Sequence, residues 1–399
     1  MFPKLPKIKK YVYLDNAAAT KVDSGFVNNF KKYNIDNFEN PSALYSQAVK
    51  VRKDIESSRN KIASLLKTQS NTIIFTGSGT ESINLGILGF ARKNISMGKH
   101  IISTKTEHSA VLKSLEFLSK EGFDITYLDV DNNGKINIDQ LKQSIQRDTI
   151  LISIMYVNNE IGTINDLPAI GKEILKWRKT NNSQYPYFHS DACQAGAYLD
   201  LNVEKLHVDL MSLNSSKVYG PKGVGMLYKR REVEIEPIMY GGEQEYGFRP
   251  GTENSAGIIS FADALVIAQK DKEENIKKLY KLQDYFWNKI KSNINEVVLV
   301  GSKFGKDRIA NNLNIIFKGV DADSLIIYLD KYGIVCSSGS ACTTDSDEAS
   351  HIILACGFNK NEAKNAIRFS MSKYTTKSDI DYVMKYLPKI VNKLRKTNV

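Results

Sequence analysis

A chain of 399 residues with 42% hydrophobic and 25% charged residues can bury a full core and has room for two domains. Its formal net charge of +11 comes from lysines interleaved with acids, as in KVRKDIESSRNKIASLLK and KDKEENIKKLYKLQDYFWNKIK, the pattern of solvated helix faces. Direct nucleic-acid binding, a membrane span, a secretory leader and a disulfide framework are therefore not expected, since RNP-type and zinc-finger signatures, long apolar runs and C-x-x-C pairs are all missing, and the cytoplasm is the default compartment.

The lysine-rich segment 50–67 reads as a helix. From about residue 70, short runs rich in Ile, Val, Tyr and Phe alternate with helical patterns. NTIIFT, HIIST, DITYLDV, TILISIMYV, YPYFHSD and VDLMSL are predicted strands. ESINLGILGFARKN, SAVLKSLEFLSKEG, IDQLKQSIQ and LPAIGKEILKWRKT are the helices between them. This order predicts an α/β fold with a mainly parallel sheet covered on both faces, whose ligands sit at the carboxyl ends of the strands. A long helical region, 254–294, follows. Beyond it the order is mixed: VVLVG, NNLNIIF, ADSLIIYLDKYG, IVCSSGSAC, AIRFSMS and a final amphipathic helix from about Lys377. The expected organisation is a large domain over 20–260 and a smaller α+β domain from 1–19 and 261–399.

Several strand ends carry chemistry. FTGSGTESIN follows a strand and opens a helix, so its small residues and free N–H groups suit an anion, although taken alone it reads as an ordinary glycine-rich turn. YFHSDACQ ends a strand at Asp191, which is a cap or surface acid unless a cofactor ring nitrogen lies beside it. VDLMSLNSSKVYGPKG places Lys217 just past another strand; most loop lysines are solvated, but one that bonds an aldehyde cofactor needs such a pocket. A phosphate-binding turn, a strand-end acid and a strand-end lysine in that chain order are far more specific together than singly. Cys342, in VCSSGSACTTDSDEAS, is surrounded by small and polar residues, as a reactive sulfur carrier requires. Cys336, read as lying on an apolar strand IIYLDKYGIVC, takes a structural role, as do Cys193 and Cys356. Arg368, on the strand AIRFSMS, is either a surface ion pair or a bidentate clamp on a carboxylate. DVDNNGKINIDQ approaches a calcium loop but has Gln140 where the bidentate Glu belongs and a strand before it, so calcium is rejected. The five histidines lack zinc-ligand spacing, and no metal is expected.

YLDNAAAT (13–20), FTGSGTES, TKTEHSAV, VNNEIG, HSDACQ, SSKVYGPKG, GFRPGTEN, SSGSACT and IRFS together resemble the cysteine desulfurases of the fold-type-I, class V aminotransferase group, over nearly the whole chain. The resemblance implies pyridoxal 5'-phosphate bonded to Lys217, with Asp191 at the ring nitrogen and Gln194 and Asn159 near the ring hydroxyl. It implies that His108 stacks on the ring and shuttles protons. Gly79, Thr80, Asn214 and Ser216 would hold the phosphate, and Thr252 would reach that of the opposite subunit of a homodimer. Arg368 would clamp L-cysteine. Cys342 would accept its sulfur as a persulfide, leaving L-alanine, and pass it to an acceptor protein such as an iron–sulfur scaffold or a tRNA-thiolation enzyme.

Four departures stand out. Ser216 replaces the usual His before the lysine, with Asn214 where Ser is usual. Tyr45 replaces the His after NPS. GGEQEYGFR replaces GGGQERG through Glu243 and Tyr246, and SAG at 255–257 replaces VPG. The rivals are a selenocysteine lyase, a class V aminotransferase, which has no use for SSGSACT, and a non-catalytic adaptor, which the intact Lys217, Asp191, His108, Cys342 and Arg368 oppose.

Overall fold

A computed structural model describes residues 10–339 and 349–397. Its strands, in chain order, are β1 (Val12–Tyr13), β2 (Ile73–Thr76), β3 (His100–Thr104), β4 (Asp124–Leu128), β5 (Thr149–Ser153), β6 (Tyr187–Asp191), β7 (Leu210–Asn214), β8 (Gly225–Lys229), β9 (Val297–Val300), β10 (Asn312–Phe317), β11 (Ile334–Val335) and β12 (Ala366–Ser370). Seven of them form one sheet in the order β2-β8-β7-β6-β5-β3-β4. The pairings from β7 through β6, β5 and β3 to β4 are parallel, and β8 runs antiparallel to both of its neighbours.

Successive residues on these strands bury against opposite layers. Phe75, Ile102, Phe188, Met211 and Met226 join one apolar cluster, while Ile74, Ile101, Tyr187, Leu210 and Leu227 join another. A sheet buried on both faces explains why its strands read as near-continuous apolar runs. The helix Ser255–Lys270 lies within the first layer with most of its residues buried. The helix Ser46–Leu66 packs there through Val51, Ile55, Ile62 and Leu66, at helical spacing.

A second, antiparallel sheet has the order β12-β10-β9, with Asn314 opposite Arg368. The N-terminal segment is stitched to the C-terminal half. β1 pairs in parallel with β11, and Asp15 bridges to Ser370. Residues 15–20 are thereby carried between the two sheets.

The expected helical region 254–294 consists of two helices, Ser255–Lys270 and Lys272–Asn293, separated at Asp271. Two sequence expectations are corrected. Residues 326–330 are not part of a strand leading to Cys336. They belong to the helix Ala322–Asp330, which Asp321 caps by accepting the Ser324 N–H and which buries Ala322, Leu325 and Leu329. β8 was not among the expected strands. The DVDNNG segment is a turn in which Asp131 Oδ1 accepts the N–H groups of Asn133 and Lys135.

Candidate active site

Three turns meet at the carboxyl edge of the large sheet. After β2 the chain passes Gly77 and Ser78, and Ser78 caps the helix Gly79–Asn84 by accepting the Glu81 N–H at 3.1 Å. A side chain at Gly79 would meet Cys193 Sγ at 2.8 Å and Asn214 Cβ at 3.1 Å, so glycine is what lets this turn lie on the ends of β6 and β7. Asp191 ends β6, is 7% exposed, and accepts the Cys193 N–H at 2.9 Å. Lys217 follows β7 in the turn Ser215–Lys217, which Asn214 opens by accepting both the N–H and the hydroxyl of Ser216 at 3.2 Å.

The N-terminal segment closes this pocket. Lys217 Nζ donates to the carbonyls of Ala17, at 2.9 Å, and Ala18, and Gln194 Nε2 donates to the same Ala17 carbonyl at 2.9 Å. Burial lowers the affinity of Lys217 for its proton. Cys193 and Asp191 oppose that shift and Arg368 reinforces it.

His108 caps the helix Ser109–Lys120 through Nδ1, which accepts the Ala110 N–H at 3.1 Å. An accepting Nδ1 leaves the ring proton on Nε2, and burial holds the ring below the usual histidine range, so it is a neutral donor. His108 and Thr80 line one cleft of about 630 Å³ with Asn84, Arg92 and Ile238.

Arg368, whose charge acts on Lys217, is 2% exposed. Its Nη1 donates to the carbonyls of Asn159 at 3.0 Å and Gly339 at 3.1 Å, and its Nη2 to Asp15 Oδ1 at 2.8 Å. Arg368 Nε and Asn159 Oδ1 are buried without a partner among the described residues. Two orphaned polar atoms near a part-buried amine are what a bound polar ligand would satisfy. The small-residue turn at Gly79, the acid at Asp191 and the amine at Lys217 therefore fit a phosphate-bearing aldehyde cofactor.

Thr252 is exposed on a loop whose Arg249 pairs with Glu81 at 3.1 Å. Tyr45 is also exposed, 54%. Cys342 lies outside the described residues. Cys193, Cys336 and Cys356 are buried, and burial pushes all three thiols up, Cys356 to about 12, so they are poor nucleophiles at neutral pH. Among the described residues no cluster of His, Cys, Asp and Glu could hold a metal ion.

The sequence reading missed several buried acids. They include Glu107, whose Oε1 accepts the Met155 N–H at 2.8 Å and the Thr104 hydroxyl at 3.0 Å, and whose carboxyl burial pushes up to about 8. Glu160 is 1% exposed. Glu245 makes a buried bidentate pair with Arg59, at 2.7 Å in both contacts. Each lies inside or beside a motif that was noticed for its neighbours. A place inside a motif, as in TEH and VNNEIG, does not tell from sequence whether such an acid is buried.

The aminotransferase class-V family matches residues 12–383. A cysteine desulfurase IscS of Dictyoglomus turgidum is 42% identical, covering 97% of this chain and 96% of its own. One of Methanosarcina thermophila is 41% identical, covering 97% and 93%. Among solved structures, a NifS-like protein superposes with a TM-score of 0.89 at 31% identity, over 96% of this chain and all (100%) of its own. SspA in complex with cysteine gives a TM-score of 0.79 at 32% identity, over 92% and 100%.

Proposed function

The chain belongs to the aminotransferase class-V family, and on that premise we propose that it is a pyridoxal-phosphate-dependent cysteine desulfurase, which converts L-cysteine to L-alanine and takes the sulfur onto Cys342 as a persulfide. The observation that carries the reading is a part-buried lysine, Lys217, just past a strand end, close enough to Asp191 and Arg368 for both charges to act on its proton. Pyridoxal phosphate, when bound, supplies an aldehyde that condenses with amines and a ring that accepts an electron pair.

The chain's own residues have the following parts. Lys217, whose proton is loosened by burial, is the amine for the aldehyde and the base that moves the substrate Cα proton. Asp191 would pair with the ring nitrogen and keep it protonated. Gln194 and Asn159 serve the ring hydroxyl. The N–H groups at Gly79 and Thr80, with Asn214 and Ser216, serve the phosphate. The Ser216 hydroxyl is turned to Asn214, so this pair offers the phosphate a shorter reach than a histidine would. His108, whose Nδ1 accepts the Ala110 N–H, would face the ring and offer it an Nε2–H donor.

Arg368 orients the substrate by its carboxylate, which meets the Nε–H that has no partner among the described residues. The Cys342 thiolate then attacks the substrate sulfur. The S–S bond forms as the C–S bond breaks, and the electron pair passes to Cβ, which is protonated to give alanine. No outside oxidant or reductant is needed.

We further read the working unit as a homodimer, with Thr252 serving the other subunit's phosphate. An acceptor protein in the cytoplasm, such as an iron–sulfur scaffold or a tRNA-thiolation enzyme, would collect the sulfur. Among the described residues no helix is long and apolar enough to cross a membrane.

The test is visible absorbance of the purified protein, followed by L-cysteine with a reductant and a joint assay of sulfide and alanine. A yellow protein that yields both in equal amounts is expected, with Cys342→Ser abolishing sulfide while keeping the absorbance. Sulfide release retained by Cys342→Ser would overturn the role of that residue.

A further inference from the structure

Glu160 is a carboxylate that the chemistry above does not use. It sits in the loop after β5, next to Asn159. Its own N–H and that of Ile161 are accepted by Asn158 Oδ1 at 2.9 and 3.0 Å. Its carbonyl accepts Asn312 Nδ2 at 2.9 Å and Asn314 Nδ2 at 3.2 Å, both from β10 of the small sheet. The backbone that carries this side chain is therefore tied to both sheets.

The carboxylate touches the two stretches of chain that flank residues 340–348. On one side, a Cβ at Gly339 would lie 2.8 Å from Glu160 Oε2, so the Gly339 backbone rests directly on the carboxylate. Gly339 has φ +103°, a conformation other residues adopt only with strain. Its carbonyl is held by Arg368 Nη1, and Ser337 just before it is bridged to Arg368. On the other side, Ser350 Oγ donates to Glu160 Oε2 at 2.5 Å. That hydroxyl accepts the Ile353 N–H at 3.3 Å as the cap of the helix His351–Ala355, so its own proton is directed to the carboxylate. Next to it, His351 Nε2 lies 3.1 Å from the Glu107 carbonyl in the loop that carries His108. Burial raises the Glu160 carboxyl above its usual range, while Ser350 and Arg368 favour its ionised form.

We propose that Glu160 is a positioning residue, whose buried side chain anchors Gly339 and Ser350 together and so fixes both flanks of the Cys342 segment relative to Asn159 and Arg368. The inference rests on the desulfurase reading for its consequence, because Cys342 must reach the sulfur of a substrate clamped by Arg368. A misplacement of about 1 Å costs about a hundredfold in such a transfer. The anchor itself is a feature of the fold and is measurable without any turnover.

The experiment compares the full-length protein with Glu160→Gln, which keeps the volume, and Ser350→Ala, which removes one hydroxyl. Amide hydrogen exchange is followed in peptides covering 335–339 and 350–354, and sulfur on Cys342 is timed by mass spectrometry after L-cysteine. Both variants should exchange faster at both flanks and acquire sulfur about a hundredfold more slowly. The spectral change on adding L-cysteine should persist, and the double variant should be no worse than the more affected single one. Unchanged exchange at either flank overturns the anchor. Faster exchange with persulfide forming at the normal rate overturns the positioning role, and so does loss of the spectral change in step with the persulfide. If the wild-type protein loads no sulfur on Cys342, the desulfurase reading fails, and the exchange data still decide the anchor.

Discussion

Neutralising Glu245 should loosen the molecule next to the turn proposed to hold the phosphate. Glu245 and Arg59 have side chains 3% exposed, joined by two contacts of 2.7 Å, and Glu245 Oε2 also accepts the Phe75 N–H of β2 at 2.8 Å. Arg59 is further enclosed by the rings of Phe75 and Tyr246, at 4.7 and 5.3 Å. Glu245 and Tyr246 hold φ of 48° and 60°, so the contacts must also offset backbone strain of roughly 1 kcal/mol or more at each. In Glu245→Gln the amide N–H groups face a guanidinium that can only donate, and a buried cation loses its counter-charge. Breaking one side of a buried pair costs about 3–5 kcal/mol. Glu56 remains 3.1 Å from Arg59 Nε, but it is half exposed and returns less than about 1 kcal/mol. The expected loss is thus about 3 kcal/mol, or about a hundredfold in the folding equilibrium. Urea unfolding followed by circular dichroism checks it for Glu245→Gln, Arg59→Met and the double variant. Cofactor affinity should fall with Glu245→Gln as well, because Phe75 leads directly into Gly77. A single-variant loss below about 1 kcal/mol, or additivity of the two changes to within about 0.5 kcal/mol, would refute this account of the pair.

Lys217→Ala should leave the purified protein without the visible band of the wild type, read directly by absorbance. Arg368→Lys should raise the half-saturating L-cysteine concentration by about one to two orders of magnitude, because an ammonium cannot span Asn159, Gly339 and Asp15 and still offer a planar fork to a carboxylate; a spectroscopic titration measures it. Glu107 binds its proton up to about pH 8 when folded, against an ordinary value of 4.5, so the folded chain keeps a proton that the unfolded chain has released. Stability should therefore decline as pH rises from 4.5 to about 8. Glu107→Gln should remove that component, so its urea midpoint should gain on the wild type between about pH 5 and about pH 8.5.

The strands of the large sheet were legible where burial on both faces made them apolar throughout, as in NTIIFT and TILISIMYV. β8 escaped because its five residues, Gly225–Lys229, emerge straight from a glycine-rich turn and run against the parallel order. The stretch IIYLD looked like a strand from its β-branched and aromatic content. The capping Asp321 and the helical spacing of Ala322, Leu325 and Leu329 were the better guide. Within the site, Lys217 and Asp191 could be singled out because strand ends are where such sheets bind ligands. Glu107 and Glu160 could not, since an acid within a motif looks the same in sequence whether it ends in solvent or in the core.

The alternation of strands and helices, the strand-end lysine and acid, and the family to which the chain belongs were determined by the sequence itself, because periodicity and short motifs are local properties. Which charges become buried, and against what, was decided by the tertiary structure. Arg368 acquires its partners from Asp15, Asn159 and Gly339, and Glu160 acquires Ser350, across separations that no local pattern encodes. A buried charge is tolerated when several such segments arrive together and supply its hydrogen bonds, so the environment of these groups is a property of the packed molecule.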